Sequence, residues 1–363
     1  MHLSDRAAIV AALLIFRSEP LKSLFNHICI LVALSFPALA AGQSQFALQQ
    51  GFTALYEKEL GSTQKCLDAS ANRFAVCSAV LRGDTNAPFI LLQSAESPIV
   101  VLTHGLSDSP FFVSAIAAEL YASGYTVIAP LLPGHGLKDA GDVMADEQLA
   151  ERWQAHLADV IALALESTDK VILGGFSTGG ALSVDYYLNH PDNVKGILLF
   201  SGALALNGNV ESLSKIWGIK TLAKWLDGDY QTDGPNPQKY PKVASFAGLE
   251  LMELIRGIRE QLDDGARIEV PVFVAHSQAD QTTPIEGVEN LLTYVDADNT
   301  FYVIDEEYQL CHADLVVNRL LLEKMQFDKS RADLGETCGI PQVNPQFFPM
   351  ARALRGFVEF ALQ

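Results

Sequence analysis

Val171-Ile172-Leu173-Gly174-Gly175-Phe176-Ser177-Thr178-Gly179-Gly180 is the stretch whose reading decides the fold. Val171 to Gly174 is an apolar run of strand length, Gly180 to Asn189 has a helical pattern, and Gly175 to Gly179 must carry the chain from one to the other. A serine on so tight a strand-to-helix turn is held in strained backbone geometry, with its hydroxyl presented above a helix amino terminus. The flanking residues must be glycine, because any side chain there would strike the neighbouring strand and helix. Ser177 is therefore a candidate nucleophile; the competing reading is a glycine-rich connection with a solvated serine.

Working outward, the turn sits in a regular alternation. Short runs rich in Val, Ile and Leu occur at Ile99 to Leu102, Thr126 to Leu131, Val171 to Gly174, Val194 to Phe200, Val270 to Ala275 and Phe301 to Ile304, separated by helix-length segments. Such runs suit strands buried on both faces, and the intervening periods suit helical crossovers. The fold class is α/β, a doubly wound and mostly parallel sheet. Upstream, Gln45 to Leu60 has an amphipathic helical pattern, and Phe74 to Val80 and Pro88 to Gln93 read as short strands that start the sheet in antiparallel fashion. The alternation breaks at about 205–266, where apolar residues recur at helical spacing from Leu213 to Leu226 before the turn-rich Asp227 to Pro241. An inserted helical cap fits this segment. Its Trp217 and Trp225 either line a substrate pocket or pack the cap onto the core.

A serine hydroxyl is a poor nucleophile near neutral pH, so a base must take its proton and an acid must orient that base. In a sheet of this kind the acid and then the histidine follow the nucleophile along the chain, each after a later strand. Asp280 lies in the loop after the run ending at Ala275, and His312 follows the last run and is the only histidine beyond Asp280. Asp280 and His312 complete a candidate triad with Ser177. Asp305 is the main competitor for the acid, with Asp298 behind it. Negative charge developing on the attacked carbonyl oxygen needs oriented donors, for which the amides of Thr178 and of Leu106, in the His104-Gly105-Leu106 turn, are placed. His104 and His135 precede Ser177 and are read as shaping their loops.

These segments resemble the α/β-hydrolase superfamily, especially its monoacylglycerol lipase, lysophospholipase and carboxylesterase-like branch. The resemblance rests on Leu102-Thr103-His104-Gly105-Leu106, Pro133-Gly134-His135-Gly136, Gly175-Phe176-Ser177-Thr178-Gly179, the Asp280 loop and His312, and it covers Pro98 to Leu315. It implies a serine hydrolase acting on a small-molecule or lipid-like ester, with the cap governing access. An aminopeptidase or amidase with the same triad is the alternative within enzymes, and a noncatalytic ligand-binding protein of this fold is the alternative outside them. The chain departs from the branch after His312, where Phe327 to Pro345 intervenes before a final helix, Phe347 to Leu362.

Composition limits the partners. The formal charge of -18 over 363 residues leaves no clustered Lys and Arg to replace counterions on a phosphate backbone, so nucleic acid is excluded. No histidine, cysteine and carboxylate grouping has metal-ligand spacing, and no cofactor is implied. Residues 1–40 read as a signal peptide: Arg17 and Lys22 precede the apolar run Ile28 to Phe36, and Ala38-Leu39-Ala40 suits cleavage near Ala40. The further apolar stretch Ala7 to Phe16 is open to reading as an extended leader, an uncleaved anchor or an upstream start. The mature chain, 41–363, is expected to be exported to the periplasm or medium without stable membrane insertion; its oligomeric state is left open. Loss of the leader removes Cys29 and leaves Cys66, Cys77, Cys311 and Cys338, for which the pairs Cys66–Cys77 and Cys311–Cys338 are expected from proximity in sequence. Four buried thiols are the alternative.

Overall fold

Nine strands form one sheet: β1 (Thr63–Lys65), β2 (Arg73–Ser78), β3 (Phe89–Leu91), β4 (Ile99–Thr103), β5 (Thr126–Ala129), β6 (Val171–Phe176), β7 (Ile197–Phe200), β8 (Val272–Ser277) and β9 (Asn299–Ile304), in the order β1-β2-β3-β5-β4-β6-β7-β8-β9. The structure is a computed structural model that describes residues 44–67, 72–213, 218–333, 335 and 338–362; the expected leader and its cleavage site, and Trp217, lie outside the described residues. β1, β2 and β3 pair antiparallel in turn and β3 also pairs antiparallel with β5, while β4 through β9 run parallel. Every residue of β4 to β8 is buried, as expected of strands covered on both faces. The fold is the doubly wound α/β class read from the alternating runs.

The covering helices are α1 (44–60), α2 (Pro110–Ala122), α3 (Leu149–Leu165), α4 (Thr178–Asn189), α5 (Ile219–Asp227), α6 (Ser245–Asp263), α7 (Glu286–Leu292) and α8 (Phe347–Ala361). They pack in two groups, α2 against α8, and α3, α4 and α6 against one another. That second group alters the boundary of the segment expected as a cap at 205–266. Helix α6 buries Leu251, Leu254, Ile255, Ile258 and Leu262, and it lies against α3 and α4 as the crossover between β7 and β8. Only the part before it, with α5, stands apart from the crossover layer. Helix α5 is joined to α6 through a small separate cluster, Ile219, Ala223, Phe246 and Leu249, and by the Asp227 carboxylate, which accepts from the amides of Ser245 and Phe246 at 2.7 and 2.9 Å. Asp227 thus satisfies amides that α6 leaves open at its amino terminus.

Both expected disulfides are present. Cys66–Cys77 closes the turn between β1 and β2, and Cys311–Cys338 ties the residue before His312 to a point 27 residues further along.

Candidate active site

Parallel register brings the chemistry to one edge of the sheet. Thr103 pairs with Gly175, Phe176 with Phe200, Phe200 with Ala275, and Ser277 with Ile304, so the loops carrying Leu106, Ser177, Asp280 and His312 all leave the carboxyl ends of neighbouring strands. Open α/β sheets place their ligand sites at this edge.

At the β6–α4 turn, Ser177 has φ +54° and ψ -117°, a conformation that L residues adopt only when their surroundings enforce it. The enforcement is by main chain. The Ser177 amide donates to Phe200 O at 3.0 Å, and its carbonyl accepts from the amides of Gly180, Ala181 and Ala203 at 2.9, 3.2 and 3.0 Å. The glycines permit the approach: a Cβ on Gly175 would stand 2.1 Å from Gly179 C, and one on Gly179 would stand 2.2 Å from Thr103 O. The residue as a whole is 6% exposed.

Asp280 and His312 meet. His312 Nδ1 lies 2.6 Å from Asp280 Oδ2, and donation of that proton leaves Nε2 as the acceptor. The His312 ring also lies 4.8 Å, centroid to centroid, from the ring of Phe176, the residue before the serine. Asp280 is 5% exposed. Burial works to raise its pKa, but the charge and hydrogen bond of His312, followed by His276 and the Thr283 amide, hold the carboxyl well below the ordinary carboxylate range. It is an ionised acceptor whenever the protein is near neutral pH. Asp305, the alternative acid, instead accepts from the Glu307 amide at 2.9 Å in an exposed turn.

Two further residues complete this cluster: Thr283, which the sequence reading missed, and His276, which it set aside as the base because it precedes Asp280. Thr283 Oγ1 donates to Asp280 Oδ2 at 2.9 Å and lies 3.1 Å from His312 Nδ1, while its amide donates to Asp280 Oδ1 at 3.0 Å. His276 Nε2 donates to Thr283 O at 2.8 Å and stands 3.6 Å from Asp280 Oδ2. The visible signal for Thr283 was the spacing Asp280-x-Thr282-Thr283, which favours side-chain acceptance of the following amides.

The loop after β4 carries Leu106 beside Ser107, whose φ is +67°. His104 is buried beneath it, donates Nδ1–H to Gly105 O at 2.8 Å and accepts from Leu132 N at 3.1 Å through Nε2. Burial holds His104 well below the usual histidine value and lowers His135 to about 4, so both are neutral loop supports. Thr178 opens α4 immediately after the serine and is fully buried. Trp225 is 77% exposed on α5, so neither a buried pocket wall nor a core contact is formed by its side chain. Among the described residues, no group of three or more His, Cys, Asp or Glu is placed to hold a metal.

The sequence profile of the family described as serine aminopeptidase, S33, matches residues 94–314, from the start of the parallel sheet to just past His312. The chain belongs to this family. As a member of it, this α/β-hydrolase is 25% identical over 189 residues to a thermostable monoacylglycerol lipase from Bacillus sp. (strain H-257), covering 51% of this chain and 71% of the relative. It is 32% identical over 109 residues to a pyrethroid hydrolase from Sphingobium wenxiniae, a match spanning 30% of this chain and only 37% of that relative. Among solved structures, the monoacylglycerol lipase of Paleococcus ferrophilus superposes with a TM-score of 0.50 at 18% identity, over 73% of this chain and 96% of that one. At that identity the likeness is one of fold.

Proposed function

We propose that this lipase- and esterase-like hydrolase cleaves carboxylic esters through an acyl-Ser177 intermediate. The observation that carries the reading is the 2.6 Å pair of Asp280 and His312 at the sheet edge that also holds Ser177 on its strained turn. Ser177 Oγ attacks the ester carbonyl carbon as its proton passes to His312 Nε2, and Asp280 stabilises the imidazolium that forms. The amides of Leu106 and Thr178 receive the developing oxyanion, with the amino terminus of α4 beneath it. Collapse of the adduct transfers the proton from His312 to the leaving alcohol. Water, deprotonated by the same imidazole, then releases the acid.

The monoacylglycerol lipase relative supports an ester of small-molecule or lipid-like type as substrate. The family's peptidase name supports the second reading, amide cleavage by the same groups. The segment with α5 is assigned the role of a cap over the site, and residues 1–40 that of a removed export signal. Two disulfides favour an oxidising compartment, periplasmic or extracellular, for the mature chain. No helix among the described residues is long and apolar enough to cross a membrane.

Fluorophosphonate labelling of the protein and of Ser177→Ala, followed by turnover of p-nitrophenyl esters of graded chain length and of aminoacyl amides, tests the assignment. The expected result is label on the native chain only and turnover of esters far above amides. Label retained by Ser177→Ala removes the mechanism; faster amide cleavage replaces esterase by peptidase.

A further inference from the structure

Beside the candidate oxyanion loop lies an ion pair between a buried carboxylate and a half-buried lysine that the mechanism above does not use. Asp108, only 1% exposed, pairs through Oδ1 with Lys239 Nζ at 3.0 Å. Its other oxygen folds back over the loop, so close to Gly105 that a Cβ there would stand 2.8 Å from Oδ2. Lys239 comes from the long connection between β7 and β8, far away in sequence, and its neighbour Tyr240 donates its amide to Ser107 O at 2.8 Å. Thus the two residues that follow Leu106 are each gripped by one of two consecutive residues from the insertion.

The gripping segment is itself fixed at several points. Lys239 O accepts from Arg82 Nη1 at 2.9 Å, Arg82 Nη2 donates to Asn236 O at 3.1 Å, and the Tyr240 hydroxyl donates to Gly134 O at 2.9 Å while accepting from Leu137 N at 2.8 Å. A left-handed conformation at a serine, as at Ser107, relaxes unless its surroundings oppose it. Relaxation there would swing the preceding peptide planes, including the one that carries the Leu106 amide. An oxyanion donor contributes only when it is already aimed.

We propose that Lys239 is a positioning residue: its ion pair with Asp108 holds the Leu106 amide in the direction that receives the oxyanion. The inference rests on the ester-hydrolase reading and deepens it, by making the insertion part of the machinery of rate as well as of access.

A buried carboxylate that loses its partner also destabilises the fold, so activity alone does not separate positioning from stability. The test therefore uses Lys239→Met, Lys239→Arg and the double variant Asp108→Asn/Lys239→Met, each compared with the native chain in kcat and KM on a soluble p-nitrophenyl ester, in Tm, and in inhibition by a trifluoromethyl ketone. That inhibitor bonds through its carbonyl carbon to Ser177 Oγ, sends the serine proton to His312 and leaves a stable oxyanion. For Lys239→Met the expected result is a kcat lower by about 10- to 100-fold, short of the roughly 100- to 1000-fold that follows outright removal of an oxyanion donor because the amide is misaimed rather than absent, with KM within about twofold and ketone affinity weakened in parallel. Lys239→Arg keeps most of the activity. The double variant regains the lost Tm but not kcat. Recovery of kcat together with Tm in the double variant, or an unchanged kcat and ketone affinity in Lys239→Met, overturns the proposal. Failure of the underlying reading looks different: the native chain itself then shows no Ser177-dependent labelling.

Discussion

Both oxygens of Asp280 are engaged, Oδ1 by the amides of Thr282 and Thr283 and Oδ2 by Thr283 Oγ1 and His312. An acid so surrounded fixes both the tautomer and the angle of the imidazole, and an amide in its place offers the wrong group to Nδ1. Asp280→Asn is expected to lower kcat by about 10⁴-fold with the fold intact, whereas Asp305→Asn should leave kcat within about twofold. Steady-state kinetics on one soluble ester measures both, and the reverse ranking would transfer the acid to Asp305. This choice was legible in part from chain order, which named both aspartates. Chain order favoured Asp280 over Asp305, but it carries no geometry: whether a carboxylate turns inward or caps its own loop depends on where the next strand places the histidine. The contacts of His276 and Thr283 with Asp280 were hidden for the same reason: they are made by the fold of a single loop, and residue type alone does not show them.

Among the elements, the strand-turn-helix unit β6–α4 was the most legible, since its glycines answer to hard contacts. Gly179→Ala would push a methyl against Thr103 O, an immovable main-chain atom, at 2.2 Å. We expect loss of soluble protein or a destabilisation of at least about 3 kcal/mol, at the upper end of single-residue effects. Gly257 in α6 has nothing within 4 Å of its notional Cβ, so Gly257→Ala should instead raise stability by about 0.5–1 kcal/mol through helix propensity. Urea denaturation of the pair checks the contrast, and equal effects would show that the turn is not sterically locked. The strands β4 to β8 were readable because burial on both faces makes their sequences continuously apolar. Thr63–Lys65 was missed as a strand because an exposed edge needs no apolar side chains. Helix α6 was absorbed into an expected cap because apolar periodicity reports that a helix has a buried face without saying against which layer it is buried.

At the scale of the whole molecule, protons are unevenly shared between the folded and unfolded chain. Burial holds His104 well below the usual value and lowers His135 and His156 to about 4, so below about pH 6.5 the unfolded chain takes up protons that the native protein refuses. Stability from these groups is complete above about pH 6.5 and is lost as pH falls toward 4. Asp314 acts in the opposite sense. Burial, only partly offset by the Gln342 amide and Lys239, raises it to about 6, so it is protonated when folded and ionised when unfolded between about pH 4 and 6, and its contribution grows as pH falls. Near pH 5.5 these three histidines against Asp314 contribute an uptake of about two protons on unfolding, about 3 kcal/mol per pH unit, to which His276 adds and from which the raised Glu59, Asp185 and Glu250 subtract. Urea unfolding at pH 6.5 and 5.5 measures it; a flat profile would contradict the burial of these rings. Asp314→Asn should steepen the slope by about one proton and stabilise the protein above pH 6.

The hydrogen bonds that hold Ser177 belong entirely to its peptide groups, one donated to Phe200 and three accepted from the residues around the turn. The hydroxyl can therefore be deleted without releasing the backbone that aims it. On the proposed mechanism, Ser177→Ala is an inert copy of the hydrolase with its recognition surface preserved, expected to retain an ester uncleaved. Its Tm should match that of the native protein to within about 2 °C, as expected for a change worth well under 1 kcal/mol. Incubated with a mixture of cellular esters and then stripped for mass spectrometry, such a variant should return the natural substrate as an intact molecule.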